Sequence, residues 1–490
     1  MSGRSKAAFG VGSKIPKSAR GVAYDLLLSV ATQDSYANLL LPKLINEANL
    51  DTRDAGFATE MAFGSIRNQI FYHAIAAKCS GRDVSEIDID VLTLIQLGAH
   101  QLLGMRVPSH AALSETVELA KKVLRPSLIG FVNGVLRRVS EKTRDEWLQI
   151  LLKGVSSQVE EFSIRYSHPE WVVRALLDSL RLDGREGELE QLLIVNNQAP
   201  LVNLVALPGL SSIDTLLDIG AAIDGVSPLG GVLPDGDPAN IQEIRQGLVR
   251  VQDQGSQLAA ISLARAEVLS GSGKGQGAVE QKQRLPEEWL DLCAGPGGKA
   301  ALLAAFAKLD GAEMVCNELQ PHRAKLVEQA LQPVNPNVYV RVGDGRDLGG
   351  DAPESFDRIL LDAPCTGLGA LRRRPESRFR KQQSDVAELA KLQRELFSSA
   401  WAGLKTGGVL AYVTCSPHPA ETTAIVDWAE KTFGSNLELL DATKLLQEIN
   451  PELASNPHRS ITPGRKTVQL WPQRQETDAM FIALVRKTAN

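Results

Sequence analysis

The chain has 490 residues, of which 43% are hydrophobic, so it is long enough for two to four packed domains at about 150 residues each. No apolar run in the sequence approaches the ~20 residues that a membrane-spanning helix needs, which excludes that class of protein. The net charge of -5 excludes a protein that is basic all over, so any contact with nucleic acid must be made by a local patch.

A basic stretch without acidic residues opens the chain. Residues 1–19 carry Arg4, Lys6, Lys14 and Lys17 but lack the apolar core of a secretory signal. We predict a flexible basic tail over these residues. Basic arms often contact nucleic acid and are also often simply solvated, so the sequence leaves both interpretations open.

Residues 20–150 have the apolar spacing of helices. Apolar residues recur three or four positions apart, which places them on one face of a helix. The clearest examples are Leu92, Ile95, Ala99, Leu102 and Leu103, and then Leu113, Val117, Ala120 and Leu124. We predict an all-α bundle.

Residues 155–245 mix two kinds of pattern. A helical pattern begins near Trp171, and short apolar runs then alternate with turn residues. These runs are 201–207, 231–233 and 248–251. The mixture predicts a small α+β domain.

Residues 246–490 are predicted to form the last domain. A polar, glycine-rich run at 270–277 predicts a flexible loop within it. Strands are predicted at 289–293, 314–317, 338–342, 358–362, 409–414 and 480–485, with helical patterns between them. This alternation predicts a mostly parallel sheet with helices on both faces, as in a Rossmann-like α/β domain.

A glycine-rich turn follows the first of these strands. It consists of Cys293, Ala294, Gly295, Pro296, Gly297, Gly298 and Lys299. Glycine lets a bound cofactor approach the backbone closely at a strand-to-helix turn. Glu318 ends the next strand, where a carboxylate can accept hydrogen bonds from both ribose hydroxyls, and Asp344 ends the third, where it could meet an adenine amino group.

The five cysteines are Cys79, Cys293, Cys316, Cys365 and Cys415. An odd number without an export signal predicts free thiols in a reducing cytoplasm, and the lack of zinc-like Cys/His spacing predicts no bound metal. Cys365 and Cys415 follow the fourth and fifth strands, so both should face the ligand crevice of the sheet. The other three are interpreted as core residues, because free cysteine is commonly buried.

Two thiols at such a crevice suit the methylation of carbon 5 of cytosine. That carbon becomes nucleophilic only after a thiolate adds to carbon 6, and a second thiol can assist the final elimination. Asp362 could bond the ring nitrogen and the exocyclic amine as charge accumulates. Lys299 could orient Asp362 or simply form a salt bridge at the helix start. The residues alone do not decide which cysteine is the nucleophile.

The densest positive charge of the chain lies in residues 367–381. Its six basic residues are Arg372, Arg373, Arg374, Arg378, Arg380 and Lys381, against the single acid Glu376. We predict that this segment binds RNA phosphates, and a solvated charged face is the alternative.

Together these motifs resemble the RNA 5-methylcytosine methyltransferases of the NOP2/Sun type, and within them the bacterial ribosomal RNA small subunit methyltransferase B (Sun/Fmu) family. Residues 51–60, 108–112 and 130–138 are similar to the NusB-like helical domain of that family. The resemblance implies S-adenosyl-L-methionine as cofactor and one cytosine of 16S ribosomal RNA as substrate. It also implies a NusB-like RNA-binding domain over 20–150 and an RRM-like one over 155–245.

The resemblance implies roles for individual residues as well. Cofactor contacts fall on residues 293–299, Glu318, Asp344 and Asp362. Cys415, in a Thr-Cys-Ser motif, matches the family's nucleophile, and Cys365, in a Pro-Cys motif, matches the partner needed for product release. The sequence departs from the family where Glu318 replaces a common aspartate and where no asparagine follows Glu421.

Two other classes of protein stay open. A methyltransferase acting on a small molecule or a protein would need neither the cysteine pair nor a NusB-like bundle. A non-enzymatic RNA-binding scaffold would not need intact Gly295, Gly297, Gly298, Glu318 and Asp344. A monomer without an obligate protein partner is the default assembly.

Overall fold

The computed structural model describes residues 15–33, 35–269 and 286–489. Contacts within the chain group it into two compact units. The helical unit comprises Met1–Leu177, Gly187–Gln198 and Leu371–Lys381. The sheet unit comprises Asp178–Glu186, Ala199–Ala370 and Gln382–Asn490. The predicted glycine-rich loop at 270–277 and most of the predicted basic tail lie outside the described residues.

Helices account for most of the chain before residue 196. In chain order the described helices are α1 Ala19–Gln33, α2 Ala37–Ala48, α3 Thr52–Arg67, α4 Gln69–Ser80, α5 Ile89–Leu103, α6 Ser109–Val123, α7 Pro126–Val139, α8 Arg144–Leu151, α9 Gln158–Tyr166, α10 Glu170–Leu182, α11 Leu189–Val195, α12 Ile213–Asp218, α13 Gln242–Arg245, α14 Gln254–Arg265, α15 Gly298–Asp310, α16 Pro321–Leu331, α17 Gly345–Asp351, α18 Ser377–Arg380, α19 Asp385–Gly403, α20 Thr423–Phe433, α21 Ala442–Ile449, α22 Glu452–Ser455 and α23 Pro472–Gln475.

The helical unit is held by one apolar core. Apolar residues of α1 to α7 turn inward and pack together, as the helical spacing of the sequence predicts. Two helices approach closely at Gly98, where an added Cβ would lie 2.7 Å from Leu136 Cδ2. Side chains also fix helix starts, as at α3, where Asp51 accepts a hydrogen bond of 2.8 Å from the Asp54 amide. The predicted all-α bundle is confirmed.

The described strands form two sheets. They are β1 Val202–Ala206, β2 Gly230–Leu233, β3 Val249–Val251, β4 Glu288–Asp291, β5 Glu313–Glu318, β6 Tyr339–Val342, β7 Phe356–Asp362, β8 Leu404–Thr414, β9 Leu437–Leu439, β10 Val468–Gln469 and β11 Phe481–Lys487. The smaller sheet has the order β2-β1-β3 and is antiparallel. The larger has eight strands in the order β10-β11-β8-β7-β4-β5-β6, with β9 pairing β11.

The larger sheet is parallel at its centre and antiparallel at one side. Strands β4 to β8 pair in parallel, whereas β11 pairs antiparallel with β8. Alternate side chains enter cores on opposite faces: Trp289 packs with α14 and α15, and its neighbour Leu290 packs with α19. From β4 the chain adds β5 and β6 on one side and then β7 and β8 on the other. The strand order therefore changes direction between β4 and β7, and sheets of this kind bind ligands at such a point.

The predicted Rossmann-like domain is therefore confirmed, and each of its six predicted strands is present. The three short strands predicted in the middle of the chain are present too. The sheet they form continues beyond residue 245, the end predicted for the middle domain, because β3 pairs with β1. Val205 and Leu207 also share a core with α14 and α15, which is why this sheet belongs to the larger unit.

None of the helices described by the structure is long and apolar enough to span a membrane.

Helix α15 offers a direct test of the sheet unit's core. We expect Leu303→Ala, at a fully buried position, to lower the free energy of unfolding by about 2–5 kcal/mol. Leu309→Ala on the same helix is the matched control, because that side chain is 59% exposed, and its effect should stay within about 0.5 kcal/mol. Urea unfolding measures both. Equal effects of the two changes would contradict this account of the core.

Candidate active site

The glycine-rich turn lies between β4 and α15, at the carboxyl end of the sheet. Gly297 has a φ of 104°, a backbone conformation that side chains disfavour, and an added Cβ there would lie 2.6 Å from Ala330 Cβ. At Gly295 an added Cβ would lie 2.2 Å from a carboxylate oxygen of Glu318. A side chain at either position would collide with these neighbouring atoms, so both positions require glycine.

Glu318 ends β5 and is fixed against this turn. Its Oε2 accepts a hydrogen bond of 3.0 Å from the Gly295 amide, and its Oε1 accepts one of 3.0 Å from the Gln320 amide. Arg323 lies 3.7 Å from the same carboxylate. The carboxylate is thus held at the edge of the turn, where a cofactor would pass.

Asp344 follows β6 and caps α17. Its carboxylate accepts a hydrogen bond of 2.9 Å from the Arg346 amide and pairs with the Arg346 guanidinium, which also binds Glu395. Hydrogen bonds from the Arg346 side chain and amide lower the pKa of Asp344. The structure brings Asp344 to the same edge of the sheet as Glu318, since β5 and β6 pair in parallel.

Asp291, the last residue of β4, is a candidate site residue that the sequence analysis did not assign. Its side chain is fully buried, and no described residue meets either carboxylate oxygen in good hydrogen-bond geometry, although the nearby Cys293 amide lowers the pKa of Asp291 slightly against the larger effects. Burial, and then the nearby charge of Asp362, raise its pKa to about 8. A buried acid without a partner at a strand end is a common signature of a ligand site.

Lys299 and Asp362 form an ion pair across the crevice. Lys299 Nζ lies 2.8 Å from Asp362 Oδ2, which joins the first turn of α15 to the end of β7. Burial lowers the pKa of Lys299, but Asp362, Cys415 and Asp291 outweigh it, so the pKa is raised. Lys299 therefore stays charged, and the salt bridge at the helix start, which the sequence analysis left open, is present.

The two cysteines predicted to face the crevice are in contact. Cys365 follows β7, Cys415 follows β8, and their Sγ atoms lie 3.4 Å apart. The hydrogen bond with Cys365 lowers the pKa of Cys415, with help from the charge of Lys299 and against burial. The same hydrogen bond and burial raise the pKa of Cys365. The two thiols are therefore coupled, and Cys415 is the member of the pair whose pKa is lowered.

The remaining cysteines do not share this environment. Cys316 and Cys79 are buried in the cores of the two units, as the sequence analysis predicts. Cys293 lies in the glycine turn just after β4, and burial raises the pKa of its thiol. Among the described residues no cluster of three or more potential metal ligands occurs.

The basic segment belongs to the helical unit, and the structure corrects its predicted role for two residues. Arg378 is fully buried and donates hydrogen bonds to the carbonyl of Ser167 and the side chain of Asn197, at 3.1 and 2.8 Å. Arg372 is buried as well. These two cannot reach RNA phosphates, because the segment packs into protein. A charge count along the sequence does not reveal such packing.

The other four basic residues are less buried. Arg374 is exposed, and Arg373, Arg380 and Lys381 are half-buried. The guanidinium of Arg380 stacks on the ring of Tyr36 at 4.0 Å.

Strand order, glycine turn and acidic strand ends together are those of a Rossmann-like methyltransferase. Comparison with known proteins identifies the family. The family model described as 16S rRNA methyltransferase RsmB/F matches residues 280–486, and the NusB family model matches residues 17–141.

Individual relatives are similar in sequence to most of the chain. Over 471 residues the chain is 41% identical to a Mycobacterium tuberculosis (strain CDC 1551 / Oshkosh) protein named "Putative methyltransferase MT1451", with 96% of both chains covered. It is 32% identical over 412 residues to ribosomal RNA small subunit methyltransferase B of Sodalis glossinidius (strain morsitans), covering 82% of this chain and 86% of that one. The chain belongs to the ribosomal RNA small subunit methyltransferase B family, and it is an rRNA methyltransferase.

A solved structure supports the fold independently. The crystal structure of PH0851 matches with a TM-score of 0.74 over 97% of this chain and 99% of that chain. The two sequences are 20% identical, so this similarity concerns the fold alone.

The electrostatic role of Lys299 can be tested without a substrate. We expect Lys299→Met to raise the pKa of Cys415, because the change removes a stabilising cation and leaves the charge of Asp362 uncompensated. The rate of Cys415 alkylation by iodoacetamide, resolved by peptide mass spectrometry, should then rise only at higher pH than in the unmodified protein. Lys391→Met, on the exposed face of α19, is the control. An unchanged alkylation profile in Lys299→Met would contradict the assignment.

Proposed function

We propose that the chain transfers the methyl group of S-adenosyl-L-methionine to carbon 5 of one cytosine in 16S ribosomal RNA, through a covalent cysteine–cytosine intermediate. The observation that carries this proposal is the contact of 3.4 Å between the Cys365 and Cys415 thiols. A methyltransferase that acts on an already nucleophilic atom has no use for a paired thiol and thiolate. An odd number of free thiols also favours a reducing cytoplasm.

The residues of the crevice fit the proposed cofactor. Gly295 and Gly297 let the turn pack closely against Glu318 and Ala330. Glu318 offers a fixed carboxylate for ribose hydroxyls, and Asp291 offers a buried acid at the end of the neighbouring strand. Asp344 lies at the neighbouring strand end, where it suits an adenine amino group. When bound, this cofactor supplies an electrophilic methyl group.

Cys415 is the proposed nucleophile. Its pKa is lowered by the hydrogen bond with Cys365 and by the charge of Lys299, which favours the thiolate form that a nucleophile needs. Addition of this thiolate to carbon 6 of the cytosine makes carbon 5 nucleophilic.

Asp362 and Lys299 are proposed to hold the ring during this addition. The Asp362 carboxylate can accept a hydrogen bond from the exocyclic amine, and Lys299 keeps that carboxylate in place. The Lys299 ammonium is the proton-bearing group beside it, so the pair can stabilise negative charge that develops on the ring nitrogen.

Cys365 is proposed to act in the release of product. Its proton is held mainly by the hydrogen bond to Cys415 and by burial. When Cys415 becomes bonded to carbon, that hydrogen bond is lost and the proton is held less tightly. Its proton can then pass to solvent water, and the resulting Cys365 thiolate takes the proton from carbon 5 while the bond between carbon 6 and Cys415 Sγ breaks and Cys415 leaves as a thiolate.

The RNA contacts are proposed for the members of the basic segment that reach solvent. Arg374 is exposed and Lys381 is half-buried, so both charges can bind phosphates, whereas Arg372 and Arg378 stabilise the helical unit.

The main test is methylation of unmodified 16S RNA with tritiated cofactor. Label should appear in 5-methylcytidine after digestion, and Cys415→Ala should lose it by at least about a thousandfold, since covalent activation is removed. Cofactor binding should stay within about twofold, and Cys79→Ala, a buried thiol in the helical unit, is the matched control. Full activity of Cys415→Ala, or label in another nucleoside, would contradict the proposal.

Cys365→Ala tests the release step. The attack by Cys415 should survive while elimination fails, so a covalent protein–RNA adduct should accumulate. It would migrate slowly on a denaturing gel and disappear in the double variant with Cys415→Ala. Normal turnover without an adduct would contradict the role of Cys365.

A further inference from the structure

The carboxylate of Glu421 is buried beside the two cysteine turns and has no part in the mechanism described above. Glu421 lies six residues after Cys415, in the short 3-10 turn Pro419–Glu421 that precedes α20. Its side chain is fully buried. A buried carboxylate is costly unless several donors satisfy it, so its partners indicate what it does.

The partners of Glu421 are the residues that directly follow each cysteine. Thr366 follows Cys365 and donates its amide to Oε1 at 2.8 Å and its hydroxyl to Oε2 at 2.5 Å. Ser416 follows Cys415 and donates its hydroxyl to Oε2 at 2.6 Å. The two hydroxyl oxygens lie 2.9 Å apart. One carboxylate therefore joins the two turns immediately beside the reactive sulfurs.

A further set of groups holds the carboxylate in place. Gln393 of α19 donates to Glu421 Oε1 at 3.3 Å and to the Pro364 carbonyl at 2.9 Å. The Tyr412 hydroxyl donates to the Glu421 carbonyl at 2.7 Å. Glu421 is thus anchored to β8, α19 and the turn after β7 at once.

Strand pairing alone does not fix the distance between the sulfurs. The ladder between β7 and β8 ends with Asp362 opposite Val413, and both cysteines lie beyond it in turns. Beyond the ladder, the Glu421 carboxylate bonds to both turns.

We propose that Glu421 is a positioning residue for the thiol pair: by binding Thr366 and Ser416 together it sets the Sγ–Sγ contact of 3.4 Å between Cys365 and Cys415. The assignment deepens the proposed function, on which it rests for the roles of the thiols.

The charge of Glu421 also affects the pKa of Cys365 in the thiol pair. The pKa of Cys365 is raised mainly by the hydrogen bond to Cys415 and by burial, and the charge of Glu421 adds to them. The charged groups that act on Cys415 are Asp362, Lys299 and Asp478. The charge of Glu421 therefore favours the protonated form of Cys365.

Glu421→Gln tests the proposal, because it keeps the shape of the side chain and removes its charge and half of its acceptor capacity. Peptide-resolved alkylation by iodoacetamide across a pH series should show Cys415 reacting only at higher pH and Cys365 gaining reactivity relative to it. In methylation assays kcat should fall about tenfold or more, with the KM values for RNA and cofactor within about twofold. Glu430→Gln, on an exposed turn of α20, is the matched control and should behave as the unmodified protein.

An alkylation profile of Glu421→Gln identical to that of the unmodified protein would overturn the proposal. If this variant fails to fold, Thr366→Val and Ser416→Ala each remove one hydroxyl donor, and an unchanged profile in both would overturn it equally. The alkylation needs no RNA. If the unmodified protein forms no 5-methylcytidine, the proposed function is refuted. The thiol reactivities of Glu421→Gln still test the role of Glu421 in that case.

Discussion

Parallel pairing of β7 with β8 is the constraint on which the site depends. Because both strands run in the same direction, the turns that follow them begin at the same edge of the sheet, and each turn carries one cysteine. The two turns also pack closely against each other. The Gly369 amide donates a hydrogen bond of 2.9 Å to the Cys415 carbonyl oxygen, and an added Cβ at Gly369 would lie 2.8 Å from that oxygen. The turns are therefore held by backbone as well as by side chains.

The charges around this edge are arranged so that only some of the acids ionise. Asp362 is compensated by Lys299, and Cys415 shares the proton of Cys365. Asp291, buried and with a pKa of about 8, is mostly protonated at neutral pH, so it adds little negative charge to the cluster. The charge of Lys299 therefore acts on both Asp362 and Cys415, as the proposed role of Cys415 as nucleophile requires.

Much of this arrangement was predictable from local sequence patterns. Strand alternation gave the sheet, and the positions of Cys365 and Cys415 after strands gave their place in the crevice. Neither the proton between the two thiols nor the link through Glu421 could be predicted, because both arise from groups that are distant along the chain and meet only in the fold. Arg378 shows the opposite error: a basic segment suggests a charged surface, yet the Arg378 guanidinium is buried and donates hydrogen bonds to carbonyl and amide oxygens of the helical unit.

The most direct test of the account is to map the covalent bond with 16S RNA that contains 5-fluorocytidine. Fluorine at carbon 5 cannot leave as a proton does, so the covalent intermediate should persist and be recovered after proteolysis. The account predicts the cytosine attached to the Cys415 peptide, with no adduct in Cys415→Ala. Attachment to Cys365, or no adduct at all with RNA that is otherwise a substrate, would contradict it.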